Sequence, residues 1–561
     1  MLQSLAVVRS PSARALFLGS AALSLGVLLL ADNLSQVPSS RELASIFRFL
    51  FEVGDSQGAA CALGVLAIAA LLSTSSLSVR PVLRWVGNNH LIVAITTFIV
   101  LSLGSLVIYQ NSRLSMDEYA QFFQSQVFAA GHISGQFPTP LINWLIPQIF
   151  QGSFFNVSSV TGAISSGYWP SFALLMTPFT WLGIPWACNP TISALTVLTL
   201  HRLADRLFDS AESAGLVVLL TLASPVFFGD GISYYSMPAH MLANCAFTLL
   251  LIDVTPRRAL IAGLLGSVAL TIHNPVPHLA YAIPWIISIA RRPGGLPNVL
   301  LLLAGYIPLC LYLGIGWFLF SSHLAHEGFT LAHGQTGIDD SFSQIVSIVS
   351  LPTAGILLAR VIGLAKLWTW SVPGLLLVAC YGSWKWRANR NCVLIGISAL
   401  LTFFVYFLVP VDQGHGWGYR YFHSAWFALP ILAAAALANP AKLDERYASD
   451  TSSGPLAFIF VCALLSMLAG TGLRAYQMRQ FIGEHERQTP QYHGSERHVE
   501  ILDPRGAFYG ADLVQNDPWL RGNVIRMITR GGASDLQMMH EQFPEMHQVY
   551  HDRYGSVWSA K

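Results

Sequence analysis

Apolar runs of membrane-crossing length recur along this chain, separated by short polar breaks. Taking about 20 apolar residues per crossing, within about 17 to 25, the pattern predicts spanning helices near 15–31, 57–73, 91–109, 211–229, 236–253, 259–274, 276–290, 298–320, 370–384, 392–410, 421–438 and 455–472. Another crossing lies within 168–200, a stretch too long for one helix and short for two, so part of it is read as re-entrant or interfacial. After the run 91–109 the pattern changes. The acidic pair Asp117-Glu118 opens a segment in which Tyr119, Phe122, Phe123, Val127 and Phe128 share one helical face. Gln121, Gln124 and Ser125 share the other, and Gly131 is a plausible stop. This spacing predicts an aromatic amphipathic helix lying along the membrane interface. Ser115 to Glu118 also fits S-x-x-E, a capping box, so the acids could simply start that helix.

Charge placement orients the spans, because Lys and Arg close to a span tend to stay cytoplasmic. Arg9/Arg14, Arg80/Arg84, Arg202/Arg206, Arg257/Arg258, Arg291/Arg292, Lys385/Arg387/Arg390 and Lys442/Arg446 fall on one side when the spans alternate and 168–200 crosses once. The expected fold is an all-α polytopic membrane protein of about 13 transmembrane helices, N-terminus inside and C-terminus outside. Its N-terminal apolar run, to Ala31, reads as a retained helix, since no small-x-small cleavage site follows. The cytoplasmic loops are short, and the outer face receives 32–57, 110–167, 321–369 and the tail 473–561. In 352–369, Arg360 and Lys366 punctuate an apolar stretch, predicting an interfacial helix with snorkelling cations. In the tail, 499–502 reads as a strand and DPRG and NDPW as turns, giving a small α+β appendage.

Composition agrees with a chain solvated mostly by lipid. Of 561 residues 53% are hydrophobic and 11% charged, against about 25% charged in soluble proteins. A net charge of +2 leaves no nucleic-acid footprint. The seven cysteines sit in or beside apolar runs and read as small buried hydrophobes.

Several outer segments hold candidate chemistry. A carboxylate just outside a membrane helix can take the proton of an attacking hydroxyl. Burial would raise its pKa and a nearby cation would lower it; Arg113 is either that cation or a solvated helix end. In Asp412 to His423, DQGHGWGYRYFH, three glycines accompany His415 and an Arg420 flanked by Tyr419 and Tyr421. A guanidinium fork there suits a phosphate, though anchoring to headgroups is the plainer use. His273 and His278, around Asn274-Pro275, line a polar cavity or help to bind phosphate; they are a weak metal set. Gly229 to His240 contributes Asp230, Tyr234, Tyr235 and His240 as a cavity wall or a simple turn. The loop 321–340 carries His323, His326, Glu327, His333, Asp339 and Asp340, and HLAHE does not match H-E-x-x-H. No P-loop or G-x-G-x-x-G unit is present. A transferase with its site outside then needs a donor already dissolved in the membrane, such as a polyprenyl-phosphate-linked sugar.

The acidic pair, AAGHISGQFP behind it, HNPVPHLAYAIPW and GYRYFHSAWFALP together resemble the GT-C superfamily of integral-membrane glycosyltransferases. The likeness is to the protein O-mannosyltransferases and aminoarabinose transferases, and it covers most of 91–438. It implies a GT-C-like bundle with outer juxtamembrane helices, in which Asp117 is the catalytic base and Glu118 supports it. Arg420, with His273, His278 and Arg113, would bind the donor phosphate, and Tyr419, Tyr421, His415, Tyr234 and Tyr235 would line the cavity. Residues 1–90 would add two transmembrane helices ahead of a catalytic domain at 91–472, with 473–561 as an extracytoplasmic tail. The family's Lys-Pro-Pro is absent; Tyr168-Trp169-Pro170 stands nearest. The expected activity is inverting sugar transfer from a polyprenyl-phosphate donor to an acceptor hydroxyl on a glycan, lipid or protein. No cofactor is required and a divalent metal is not indicated. Short loops point to a bacterial inner membrane with the site facing the periplasm. The rival readings are a transporter or flippase of lipid-linked glycan, which would want ionisable residues near mid-span, and a glycan polymerase or ligase.

Overall fold

In the computed structural model, which describes residues 12–36, 45–73, 77–324, 351–409, 413, 415–437, 453–507 and 509–560, the apolar runs fold as helices. Most of the loop 321–340, Asp412, Gly414 and Lys442/Arg446 lie outside the described residues. Among the described residues six helices are long and apolar enough to cross a membrane: Ala13–Ser35, Ile46–Leu72, His90–Val107, Leu296–Leu324, Arg390–Leu408 and Gly454–Glu486. The chain is an integral, multi-pass membrane protein. The run 211–229 is not one straight helix. Ala211–Leu222 and Pro225–Gly231 meet at 65°, because Pro225 lacks an N–H and restarts the helix at its first turn. The stretch 168–200 resolves into a short helix, Ser171–Trp181, and a longer one, Cys188–Phe208. At 370–384 the helix starts only at Leu375, behind a left-handed Gly374, and at 421–438 turns separate Arg420–His423 from Ala428–Leu437. The last spanning helix continues to Glu486, past the residue where the tail was expected to begin.

The cations of 352–369 do not snorkel. Lys366 and Arg360 are both buried on the helix Ala354–Thr369. Lys366 Nζ pairs with Asp55 Oδ2 at 2.6 Å, and Arg474 Nη2 pairs with Asp55 Oδ1 at 2.8 Å. Trp370 Nε1 donates to the same carboxylate at 2.6 Å. Arg360 donates to the carbonyls of Tyr406 and Val409. Burial of this segment therefore ties the N-terminal helices to the last span through one carboxylate serving two cations. Asp55→Asn leaves both cations without a counter-ion, so it is expected to cost about 3–5 kcal/mol. Thermal unfolding of the solubilised protein checks this, and an unchanged midpoint would show that the triad does not hold these helices together.

Two small sheets share a hydrophobic core with the acid-bearing segment around Tyr119 and Phe123. Strands β1 (Gly135–Gln136), β2 (Phe155–Val157) and β3 (Ala163–Ser166) form an antiparallel sheet of order β1-β3-β2. In the tail, β4 (His498–Leu502), β5 (Val524–Ile528), β6 (His547–Asp552) and β7 (Gly555–Ser559) are ordered β5-β4-β7-β6, with only the β4–β5 pair parallel. The tail is no detached appendage. Val499, Ile501, Met527 and Trp558 share a hydrophobic core with Met116, Tyr119, Phe123, Phe137 and Phe155.

The acid-bearing helix, Met116–Ala129, is where the pattern called for one, but it does not lie half-exposed at an interface. From Glu118 to Ser125 every residue is buried. Its polar face is closed by protein: Gln124 Oε1 accepts from Ser166 N at 2.9 Å, and Ser125 Oγ lies 2.8 Å from Thr180 Oγ1. Nor is the capping box made. Ser115 is the N-cap without a side-chain bond to the helix, and its hydroxyl lies 3.1 Å from Tyr235 Oη instead.

Candidate active site

Segments distant in sequence converge on the first turn of the acid-bearing helix. Asp117 keeps 20% of its side chain exposed, and its Oδ2 pairs with Arg420 Nη1 at 2.8 Å. Its Oδ1 accepts a hydrogen bond from the Tyr168 hydroxyl. The Tyr168 ring stacks on His273 with centroids 4.3 Å apart. Burial raises the Asp117 pKa, but Arg420, then His273 and the Tyr168 hydroxyl, outweigh it, and the net shift is downward. Asp117 is therefore ionised at neutral pH. Burial pushes the His273 pKa down to about 4 despite the pull of Asp117, so at pH 7 the ring is neutral.

Arg420 is aimed by its own loop. Its backbone N–H donates to Gln413 Oε1 at 3.0 Å and its Nη2 to the Gln413 carbonyl. Its guanidinium carbon lies 4.5 Å from the centre of the Tyr235 ring, a cation–π contact. Nε has no partner among the described residues. The loop can fold back because Gly416 and Gly418 hold φ of 139° and 67°, conformations that cost an L side chain about 1–3 kcal/mol. A Cβ on Gly416 would also collide with the Arg420 side chain. Gly416→Ala is accordingly expected to dislodge Arg420 and lower the unfolding midpoint, while Gly131→Ala at an open turn loses only the backbone term. Equal losses in the two variants would remove Gly416 from the positioning of Arg420.

Glu118 faces the other way. It is fully buried, and its carboxylate accepts from Tyr109 Oη, Leu114 N and Tyr234 N, each at 2.8 Å. Burial lifts its pKa to about 7 against these donors. The two acids thus divide: Asp117 looks into the site, while Glu118 binds the helix start to Tyr109 and to the turn before Tyr234.

No family model matches the chain, and no curated protein matches it in sequence. The match comes from structure. ArnT from Cupriavidus metallidurans, solved bound to undecaprenyl phosphate, superposes with a TM-score of 0.52 at 13% identity, covering 84% of this chain and 98% of that one. Its apo structure gives a TM-score of 0.50 at 15% identity, covering 84% and 97%. The chain has the ArnT fold. That fold agrees with the resemblance carried by the acidic pair and its companion segments, over most of the backbone.

Within the ArnT-like fold the remaining candidates separate by contact. His415 adjoins the site, its ring 4.2 Å from that of Tyr509, with both nitrogens unpartnered among the described residues and its pKa pushed by burial down to about 3. Tyr235 lies under Arg420, whereas Tyr234 Oη donates to Asn111 Oδ1 at 2.5 Å. Arg113 leaves Asp117 to Arg420 and stacks on Phe122 at 4.3 Å. His278 is fully buried, one ring nitrogen 2.7 Å from Asn244 Oδ1 and the other 2.7 Å from Tyr306 Oη, so neither is open to a ligand. Tyr421 stacks on Tyr406 at 4.4 Å and Tyr419 packs against Phe403 and Gly363, both turned from Asp117 towards neighbouring helices. Deeper in, His423 Nδ1 lies 2.8 Å from Asp230 Oδ2, so ionisable side chains are more deeply embedded than the sequence suggested. Among the described residues no group of three or more His, Cys, Asp or Glu is arranged for a metal ion.

Sequence reasoning missed two partners of the ion pair. Tyr168 stood out only as the nearest stand-in for an absent motif, and Gln413 as part of a glycine-rich loop.

Proposed function

We propose that this chain is an inverting glycosyltransferase that moves a sugar from a polyprenyl-phosphate donor to an acceptor hydroxyl. The observation that carries the reading is the Asp117–Arg420 pair, a base and a phosphate-binding cation side by side in an ArnT-like fold. The ArnT relative was solved with undecaprenyl phosphate, which supports a polyprenyl phosphate as the lipid here.

In the reaction the acceptor O–H bond breaks and its proton passes to the Asp117 carboxylate. The oxygen forms a bond to the anomeric carbon from the face opposite the phosphate, inverting the configuration. The bond from that carbon to the phosphate oxygen breaks, and its electron pair leaves with the polyprenyl phosphate. Arg420 meets the charge that develops there. Donor phosphate competes with Asp117 for the same guanidinium, so binding the donor loosens the pair and lets the Asp117 pKa rise towards that of a useful base. Neutral His273 and His415 can donate hydrogen bonds to phosphate or sugar oxygens without adding charge.

The same reading places the site on the extracytoplasmic face of a bacterial inner membrane. It takes about 13 crossings, a catalytic domain over 91–472 and two added N-terminal helices, as the basic-loop pattern supports. Mass spectrometry of envelope glycans and lipid-linked sugars, with and without the gene, tests it. The expected result is accumulation of one polyprenyl-phosphate sugar beside the loss of one glycan modification; unchanged profiles would refute it.

A further inference from the structure

We propose that the C-terminal domain completes the active site, with Asp512 capping the acid-bearing helix from the tail and so acting as the positioning residue that aims Asp117 at Arg420. The proposal rests on the transferase reading above. The helix needs a cap from elsewhere, because its own N-cap, Ser115, makes no side-chain bond to it. Asp512 Oδ1 supplies one, accepting from Met116 N at 2.9 Å across 396 residues of sequence. Met116 immediately precedes Asp117, so this bond fixes the backbone from which the base projects. A carboxylate also suits the positive end of the helix dipole.

Asp512 is not an isolated contact. The Tyr119 hydroxyl donates to the Asn516 carbonyl at 2.5 Å and accepts from Asn516 N at 2.7 Å, one turn further along the helix. Gln515 Nε2 donates to the Arg113 carbonyl at 2.6 Å, just ahead of the helix. Asn516 is in turn held to β5, its Oδ1 accepting from Arg526 N at 2.9 Å and its Nδ2 donating to Arg526 O at 2.8 Å. Residues 512–516 thus form a strap between the tail sheet and the first two turns of the acid-bearing helix. Tyr509, next along that strap, packs on His415 in the Arg420 loop. Both halves of the Asp117–Arg420 pair therefore adjoin the same tail segment. Burial pushes the Asp512 carboxyl up to about 7, with Asp117 adding to the rise, consistent with two acids held close together.

The test compares Asp512→Ala with Asp512→Asn, whose amide oxygen can still accept from Met116. Hydrogen exchange is read at the amides of 116–119, with Ala211–Leu222 as the control. Transfer is measured with the polyprenyl-phosphate sugar that accumulates when the gene is deleted, and binding with undecaprenyl phosphate. Asp512→Ala is expected to speed exchange at 116–119 by about 2–30-fold, the range that loss of a cap allows, without change in the control. It should lower kcat at least about tenfold with KM and undecaprenyl phosphate binding nearly unchanged, and Asp512→Asn should recover both. Asp512→Ser, which shortens the reach of the oxygen, serves if the alanine variant does not fold, with the same expected direction. Wild-type exchange at 116–119 in the alanine variant would overturn the cap, and faster exchange with wild-type kcat would overturn the positioning role. Altered exchange in an otherwise intact protein that transfers no lipid-linked sugar would sink the transferase reading and leave the cap as a structural device.

Discussion

Asp117→Asn is expected to abolish sugar transfer while leaving undecaprenyl phosphate binding intact or tighter. Loss of a general base costs about 10²–10⁴ in rate, and its neighbour Glu118 does not replace it, being sealed by three donors. Asparagine still accepts from Tyr168, but it releases Arg420 from its ion pair and frees that fork for phosphate. Transfer should therefore fall while lipid binding holds or tightens, which mere unfolding cannot produce. An active variant would end the role given to Asp117. The pair also makes a stability prediction whose sign is fixed. The Asp117 pKa is depressed in the folded chain, so its contribution is present above the ordinary aspartate value of about 3.9. It is lost as pH falls through the lower folded value. Acid unfolding of the Asp117→Asn variant should accordingly be less steep in that window.

The second large effect is expected at Arg420. Arg420→Gln should weaken undecaprenyl phosphate binding and reduce transfer by at least about 10², comparable to removing one strong donor from a developing charge. Arg420→Lys should recover only part of this, because an ammonium keeps the charge but not the fork that spans Asp117 and the Gln413 carbonyl. Removing the cation also lets the Asp117 pKa rise, so the acid limb of the transfer-rate profile should move to higher pH in Arg420→Gln. A wild-type limb with weakened binding would separate phosphate recognition from the control of Asp117.

Much of this site is legible in the amino-acid sequence because its parts are local. The acidic pair follows an apolar run, and the glycine-rich GYRY loop announces itself by composition. The basic-loop pattern expects these segments on one side of the membrane. What escapes is pairing across long separations. Arg360 and Lys366 resemble snorkelling cations because nothing near them in sequence could neutralise them; the partner of Lys366 is 311 residues away. The capping box at Ser115–Glu118 satisfies its spacing rule, yet Tyr235, Tyr109 and Asp512 compete for the same groups and win. Periodicity places Gln124 and Ser125 on a polar face, which is true, but it cannot say that protein rather than water satisfies them. Helix lengths are overestimated where Pro225 or a left-handed Gly374 breaks the ladder, since hydropathy is blind to backbone dihedrals.

The hydrophobic core shared by Met116–Phe155 and Val499–Trp558 carries a consequence for biosynthesis. At about 5–20 residues per second, the 396 residues separating Met116 from Asp512 take about 20–80 s to translate. Throughout that interval the aromatic side chains around Phe123 have no tail sheet to cover them. A nascent chain must therefore shelter a greasy, half-built shelf until its last strands arrive. Chains released early from the ribosome would keep that shelf uncovered and lack the strap that holds the acid-bearing helix.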